Sequence, residues 1–371
     1  MKSVVTKKII GIDPGTKSFD LFGVEFIKDK ERIFLDKSIP SEKVAQNPKI
    51  LLSKIKPYLP VNAIIGPSGY GLPITKLDDA GDEELSQMLP IEGKNTGGVS
   101  VNEGIMRLFR KMKEMKLPVY FTPGVIHLTT VPEYRKLNRM DIGTADKLCC
   151  VALAIKDQIS RLGIRANQTS FILLEMGYGF TAAIAVKNGQ VIDGLGGTSG
   201  FPGFLGTGHL DGELAIRMGK AQQGVLFTGG ASSIAKKPIT NISDLVKHQE
   251  VFSLLIESAL KDIACLMISH PKPKEIILSG RVCREPIIYK ELNRQLKKYF
   301  SNILIHRVCR TAKIAKEATE GAVILGAGIL GIKYNDIFKT LKIAQATGTM
   351  YDYIKLTTNN EKLNHGTNFS D

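Results

Sequence analysis

One local pattern occurs twice in this chain and limits its architecture more than any other: an apolar strand, a carboxylate, a glycine turn and a second strand leading away. The first copy is Lys8-Ile9-Ile10-Gly11-Ile12-Asp13-Pro14-Gly15-Thr16-Lys17-Ser18, which continues outward through Phe19 to Phe26. The second is Ser170-Phe171-Ile172-Leu173-Leu174-Glu175-Met176-Gly177-Tyr178-Gly179-Phe180-Thr181, followed by another β-prone run, the turn Asn188-Gly189 and a further strand from Gln190. Asn-Gly between such runs favours a tight hairpin. Aligning the copies sets Asp13 against Glu175 and Gly15 against Gly177. Two such hairpins far apart in sequence predict two similar halves that face each other across a cleft.

The turn chemistry of the first copy suits a phosphate. Gly11 and Gly15 remove side chains where a ligand would come close, and Pro14 stiffens the turn. Thr16, Lys17 and Ser18 add donors, while successive turn N–H groups form an anion-binding concavity. Asp13, at the strand end, is placed to hold Mg²⁺ through water. The same residues would also serve an ordinary tight turn in which Asp13 makes a local Asx bond; the duplication favours the site.

Charge enters here because a phosphate ligand needs cations. The 371 residues carry a net charge of +14, which favours anionic partners such as nucleotides or phosphorylated metabolites. The basic runs are interleaved with acids or sit at helical spacing, as in Arg110-Lys111-Met112-Lys113-Glu114, the pattern of a solvated helix face. There is no Trp, and aromatics do not alternate with the basic runs, so a nucleic-acid platform finds little support. Five cysteines with no C-x-x-C, and no secretory signal, read as reduced thiols in a cytoplasm. No apolar run reaches the ~20 residues of a membrane span.

Residues 125–155 are dense in groups able to meet a charged substrate: Arg135, Lys136 and Arg139, then Asp141, Thr144, Asp146 and Lys147. Gly-Thr-Ala-Asp-Lys opens a helix over 145–159, and helix starts bind anions. Thr144 as N-cap and Asp146 as first-turn acid are explained equally by helix chemistry alone, but the basic residues upstream are not. The glycine-rich stretch from Leu195 to Glu213 cannot build a regular element cheaply and reads as a ligand loop, with His209, Asp211 and Glu213 as candidates to touch substrate. No second histidine or cysteine has ligand spacing near His209, which argues against zinc there. Small residues at spacing four or near it mark an early helix (Ala145, Cys149, Ala152) and a late one over 315–332 (Ala318, Ala322, Gly326). These two helices either cross as a hinge or pack inside one domain. The expected division is 1–143, with an excursion near 72–104, and 144–371, with the late helix packing back at the hinge.

Taken in chain order, phosphate hairpin, hinge helix, second hairpin, a strand-Gly-helix joint at Leu278-Ser279-Gly280-Arg281 and a second hinge helix over 320–331 resemble the superfamily of acetate and sugar kinases, heat-shock chaperone ATPases and actin. The block Val125-Ile126-His127-Leu128 through Asp141-Ile142-Gly143-Thr144-Ala145-Asp146-Lys147, with the later Gly-Gly-Thr-Ser-Gly loop, is similar to an archaeal family labelled predicted butyrate kinase. The resemblance implies an α/β fold of two ribonuclease-H-like domains, mixed sheets flanked by helices, across a nucleotide cleft. It implies ATP and Mg²⁺, with Asp13 and Glu175 toward the metal and Gly15, Thr16 and Lys17 on the β/γ-phosphates. Gly177, Gly179 and Thr181 would border the other side of the phosphate chain, and Gly280 would back the adenosine. Two departures stand out: Glu175 occupies a position usually held by Asp, and the adenosine motif lacks a double glycine.

The expected activity is phosphoryl transfer from MgATP to a small metabolite, first choice a short-chain carboxylic acid. Such an acceptor is already ionised at neutral pH, its pKa being about 4 to 5, and needs cations rather than a base; Arg135, Lys136 and Arg139 would supply them. A hydroxyl acceptor would instead need a carboxylate base, for which Asp146 and Asp211 are candidates. A nucleotide-driven switch acting on a protein partner is the competing class, and a homodimer is a possible assembly.

Overall fold

The computed structural model describes residues 6–28, 30–66, 69–89, 98–219, 223–237, 239 and 242–356. Ser68, part of the excursion expected near 72–104 and residues 357–371 lie outside them. Two mixed sheets share one topology. The six-stranded first sheet has the order β3-β2-β1-β4-β6-β5, built from β1 (Thr6–Pro14), β2 (Ser18–Ile27), β3 (Lys30–Pro40), β4 (Ala63–Ile65), β5 (Thr75–Lys76) and β6 (Val119–Phe121). The five-stranded second sheet runs β11-β10-β7-β8-β9, from β7 (Ser170–Met176), β8 (Thr181–Lys187), β9 (Gln190–Leu195), β10 (Glu275–Ser279) and β11 (Leu304–Arg307). In each, an antiparallel meander is extended by parallel strands from its first strand: β1 pairs antiparallel with β2 and parallel with β4, and β7 does the same with β8 and β10. The duplicated hairpin of the sequence is thus the duplicated core of two α/β halves, as expected.

The helices are α1 (Ser41–Gln46), α2 (Lys49–Ile55), α3 (Asp82–Met88), α4 (Gly98–Glu114), α5 (Glu133–Lys136), α6 (Ala145–Leu162), α7 (Gly212–Met218), α8 (Gln249–Ser269), α9 (Pro286–Tyr299), α10 (Glu317–Ile329) and α11 (Asn335–Thr340). Strand alternation decides which core each side chain joins. Ile9 of β1 and Phe171 and Leu173 of β7 enter one central core with most of α6 and α10. Ile10 and Ile12 face a core closed by α2 and α4, and Ile172, Leu174 and Met176 face one closed by α8 and α9. Both sheets therefore lean on the same crossed pair, α6 and α10. The crossing is close because Gly321 has no side chain: a Cβ there would lie 1.8 Å from the Cys149 carbonyl oxygen. Among the described residues no helix is long and apolar enough to cross a membrane.

The layer under α8 holds one costly group. Asp262 is fully buried; its Oδ1 accepts the Phe201 N–H at 2.9 Å, and its Oδ2 has no hydrogen-bond partner. Burial pushes its carboxyl up to about 7, against the pull of that one backbone bond. The unfolded chain releases this proton near pH 4, so the native state binds more protons through the interval up to about 7, and stability falls as pH rises across it. A shift of this size corresponds to about 4 kcal/mol. Asp262→Asn is expected to gain stability over the parent at pH 8 relative to pH 5 in urea melts. Superimposable pH profiles would rule this out.

Candidate active site

Each hairpin delivers its carboxylate to the same place. Asp13 and Glu175 are both the last-but-one residue of a central strand and are both buried. They line one cavity of about 220 Å³ that lies between the two sheets. The hairpin turns meet there: a Cβ on Gly179 would stand 2.7 Å from Thr16 Oγ1, and the Lys17 ammonium lies 4.2 Å above the Tyr178 ring. Only glycine allows the second turn to pass this close to the first.

Two partly buried lysines neutralise the carboxylates. Lys316 Nζ lies 2.5 Å from Asp13 Oδ2 and 3.3 Å from Asp20 Oδ2. Lys147 Nζ lies 2.6 Å from Glu175 Oε2 and 2.8 Å from Asp146 Oδ2. Burial raises the Asp13 and Glu175 carboxyls, partly countered by Lys316 and Lys147 respectively. Burial alone would lower both lysines, but their carboxylate neighbours outweigh it and hold each ammonium above its usual range. Burial also works to raise Asp146, but Lys147 and the Thr144 hydroxyl, which donates to Oδ1 at 2.5 Å, overcome it and lower its carboxyl. Thr144 stands at the N-cap of α6 without a side-chain capping bond, its hydroxyl going to Asp146 in the first turn, and both residues line the cavity.

The loop before α10 explains how Lys316 arrives. The Asp36 carboxylate of β3 accepts the N–H groups of Lys313, Ile314 and Ala315, at 2.7 Å for the first and last. Glu320 accepts from Thr311 and Ala312, and Arg310 donates to the Ala315 carbonyl at 2.8 Å. The loop is pinned on both sides, and Lys316 projects into the first hairpin, its Nζ 2.3 Å from where a Gly15 Cβ would be. A second bridge between the sheets is Arg281, which follows Gly280 and donates to Asp20 at 3.1 Å and to Ser38 at 3.2 Å. Gly280 has φ +90°, and a Cβ there would strike the Met176 carbonyl at 2.3 Å and Glu175 Oε1 at 2.7 Å.

The remaining wall is apolar, with Met88, Leu89, Ile105, Leu226 and Phe227 along it. Tyr70 and the buried Asp141 also reach the lining; Asp141 accepts the N–H groups of Gly143 and Thr198, and burial raises its carboxyl. Of the residues expected from sequence, Asp13, Gly15, Thr16, Lys17, Asp146, Glu175, Gly177 and Gly179 line the cavity. Gly280 stands against Glu175 just behind it, and Thr181 is buried at the start of β8.

The basic trio is not brought to the cavity lining. Arg135 donates to the Ile192 carbonyl at 2.7 Å and approaches Asp193. Lys136 is buried, donating to the Leu128 carbonyl at 2.8 Å and the Tyr353 hydroxyl at 3.1 Å, and burial lowers its ammonium to about 8. Arg139 lies on the Cys265 side. His209 packs edge-on against Phe201 and contacts the Gly200 carbonyl, Asp211 caps α7 by accepting the Leu214 N–H, and Glu213 is exposed in that helix's first turn; none of them lines the cavity. Lys316, Asp20 and Tyr70 are among the lining or adjoining groups that sequence reasoning did not single out.

The fold has solved counterparts. A propionate kinase from Francisella tularensis superposes with a TM-score of 0.57 at 14% identity, covering 85% of this chain and 98% of that one. Acetate kinase from Porphyromonas gingivalis gives 0.54 at 12% identity, over 88% and 99% of the two chains. Acetate kinase from Entamoeba histolytica gives 0.53 at 12%, over 79% and 87%. At such identities the likeness is one of fold. No curated protein matches the chain in sequence. A family model does match residues 11–356, and the chain belongs to that family, described as a protein of unknown function, DUF1464.

Proposed function

We propose that this chain is an ATP- and Mg²⁺-dependent phosphotransferase acting on a small metabolite, first choice a short-chain carboxylic acid converted to an acyl phosphate. The observation that carries the reading is the convergence of both carboxylate-glycine hairpins on one cavity. The donor set fits a hard divalent ion, since Asp13, Asp20, Asp146 and Glu175 offer oxygen alone. Asp13 and Glu175 would hold the metal, which neutralises charge on the phosphate oxygens when bound. Gly15, Thr16 and Lys17 take one side of the phosphate chain, Gly177 and Gly179 the other with the buried Thr181 behind them, and Gly280 backs the adenosine beside Arg281. Structural neighbours that are acetate and propionate kinases support the choice of donor and acceptor class.

Acceptor preference follows from charge. Lys147 and Lys316 stand in the cavity, where they would overcome repulsion between two anions, in place of the basic trio first expected. The apolar wall of Met88, Leu89, Ile105, Leu226 and Phe227 suits a short hydrocarbon tail. Asp146 also lines the cavity, which keeps a hydroxyl acceptor as the second reading. Its Lys147 and Thr144 partners make it a weaker base, which favours the carboxylate.

The test is a panel of short acids, sugars and polyols with MgATP, read by ADP release and by trapping acyl phosphate with hydroxylamine. Turnover is expected with short apolar acids and a trapped product. Asp146→Asn should then keep turnover within about tenfold, whereas loss of a true base costs roughly 10²–10⁴. Arg135→Ala and Arg139→Ala should leave the rate within about threefold, their side chains being outside the lining. Turnover confined to hydroxyl acceptors, or full-rate hydrolysis with no acceptor, would overturn the acid-kinase reading.

A further inference from the structure

A different cluster lies where β11 ends, on the far half of α6. His306, in β11, places Nε2 3.0 Å from Asp157 Oδ2 and 3.7 Å from Cys309 Sγ, and the donor atoms of all three residues lie within 4.8 Å of one another. We propose that Asp157, His306 and Cys309 form a binding site for a thiophilic divalent transition metal of the zinc type.

The spacing supports this. Zinc bonds of about 2.0–2.3 Å at tetrahedral angles hold nitrogen and oxygen ligands roughly 3.3 Å apart and nitrogen and sulfur ligands roughly 3.6 Å apart. The observed nitrogen–oxygen and nitrogen–sulfur separations of 3.0 and 3.7 Å fall close to those edges. The donors come from separate places, Asp157 from α6, His306 from β11 and Cys309 from two residues past that strand, so two regular elements fix two of the three positions. Asp157 is buried, His306 is half-buried and Cys309 is exposed, which leaves one side open for entry and for a fourth ligand from solvent.

The surrounding groups fix the carboxylate. Arg161 Nε bonds both Asp157 oxygens, at 3.1 and 3.2 Å, and its guanidinium grips Glu275 through two bonds of 2.8 Å. Gln158 completes the shell with a 2.7 Å bond to Glu275. Such outer partners orient a ligand and tune its affinity. Before binding, the carboxylates of Asp157 and Glu275 balance Arg161 and the neighbouring Arg307, and burial holds the Cys309 thiol protonated, so the excess negative charge arises only as the thiol ionises onto the metal. The imidazole and thiolate select against Mg²⁺ and Ca²⁺ and suit zinc, cobalt or copper. On binding, the Cys309 thiol gives its proton to solvent and the thiolate joins the metal. The bound ion would tie the edge strand β11 to the helix whose first turn carries Lys147, roughly 15 Å away along the axis.

Cobalt(II) titration of the metal-free chain tests the site. One equivalent is expected to produce a near-ultraviolet thiolate-to-cobalt band that zinc abolishes by displacement. Cys309→Ser should remove the band, and His306→Ala should weaken binding at least about tenfold. Cys265→Ser, at the other exposed thiol, and Asp13→Asn, at the proposed nucleotide site, should leave the band unchanged. Absence of the band in the native chain, or its survival in Cys309→Ser, would overturn the proposal.

Discussion

Asp13→Asn is expected to lower turnover by about 10²–10³-fold and to abolish the strengthening of ATP binding by Mg²⁺, with the fold intact. The loss is that of one preorganised charge at the reacting phosphates, for which single-group deletions set the scale. Asn has the same shape, so β1 and its pairing with β2 need not shift. Lys316 keeps Asp20 as a partner, 3.3 Å away, so its ammonium is not left without a counter-charge in a buried place, where such a loss would cost about 3–5 kcal/mol. Calorimetric titration of ATP with and without Mg²⁺ separates the two outcomes. If the variant retained the metal effect and a rate within about threefold, the proposed role of the first hairpin would fail. Glu175→Gln should act in the same direction, and the comparison bears on whether the longer arm at the second hairpin serves the metal as Asp13 does at the first.

What the sequence disclosed and what it hid have physical reasons. The hairpins were legible because strand period and turn chemistry are local properties, and so was the helix expected over 145–159, which runs on to Leu162. The small residues of α6 and α10 were legible, but they left open whether the helices act as a hinge, and Gly321, which makes the close approach to Cys149, stood outside the stripe read in α10. Lys316 was not, because its place depends on Asp36 accepting three N–H groups some 277–279 residues away. Arg281 was read beside the adenosine motif, but its bond to Asp20 joins the two sheets and could not be inferred from either alone. Arg135, Lys136 and Arg139 drew attention by density of charge, which carries no information about direction. Lys136 instead spends its ammonium on Leu128 and Tyr353 inside the protein.

Gly321→Ala should destabilise the protein by more than about 4 kcal/mol, a size reserved for named structural faults. In an exposed helix the same exchange would gain up to about 1 kcal/mol from propensity, so the sign itself is informative. At Gly321 the new methyl would lie 1.8 Å from the Cys149 carbonyl oxygen and 2.9 Å from Cys149 Cα. These are backbone atoms of α6 and cannot rotate aside. Nor can α10 retreat, because on its other face a Gly11 Cβ would already be 2.3 Å from the Thr319 carbonyl, which shows how closely β1 presses there. The helix is held between strand and helix with no slack on either side. Gly212→Ala is the control, since nothing lies within 4 Å of its Cβ position and it opens an exposed helix; it should stay within about 0.5 kcal/mol of the parent. Urea melts of the two variants decide the matter, and equal midpoints would mean that α6 and α10 do not depend on this approach. Any folded Gly321→Ala should also bind ATP more weakly, because α6 carries Lys147 and the turn into α10 carries Lys316. Parting the helices separates the two ammonium groups that neutralise Glu175 and Asp13.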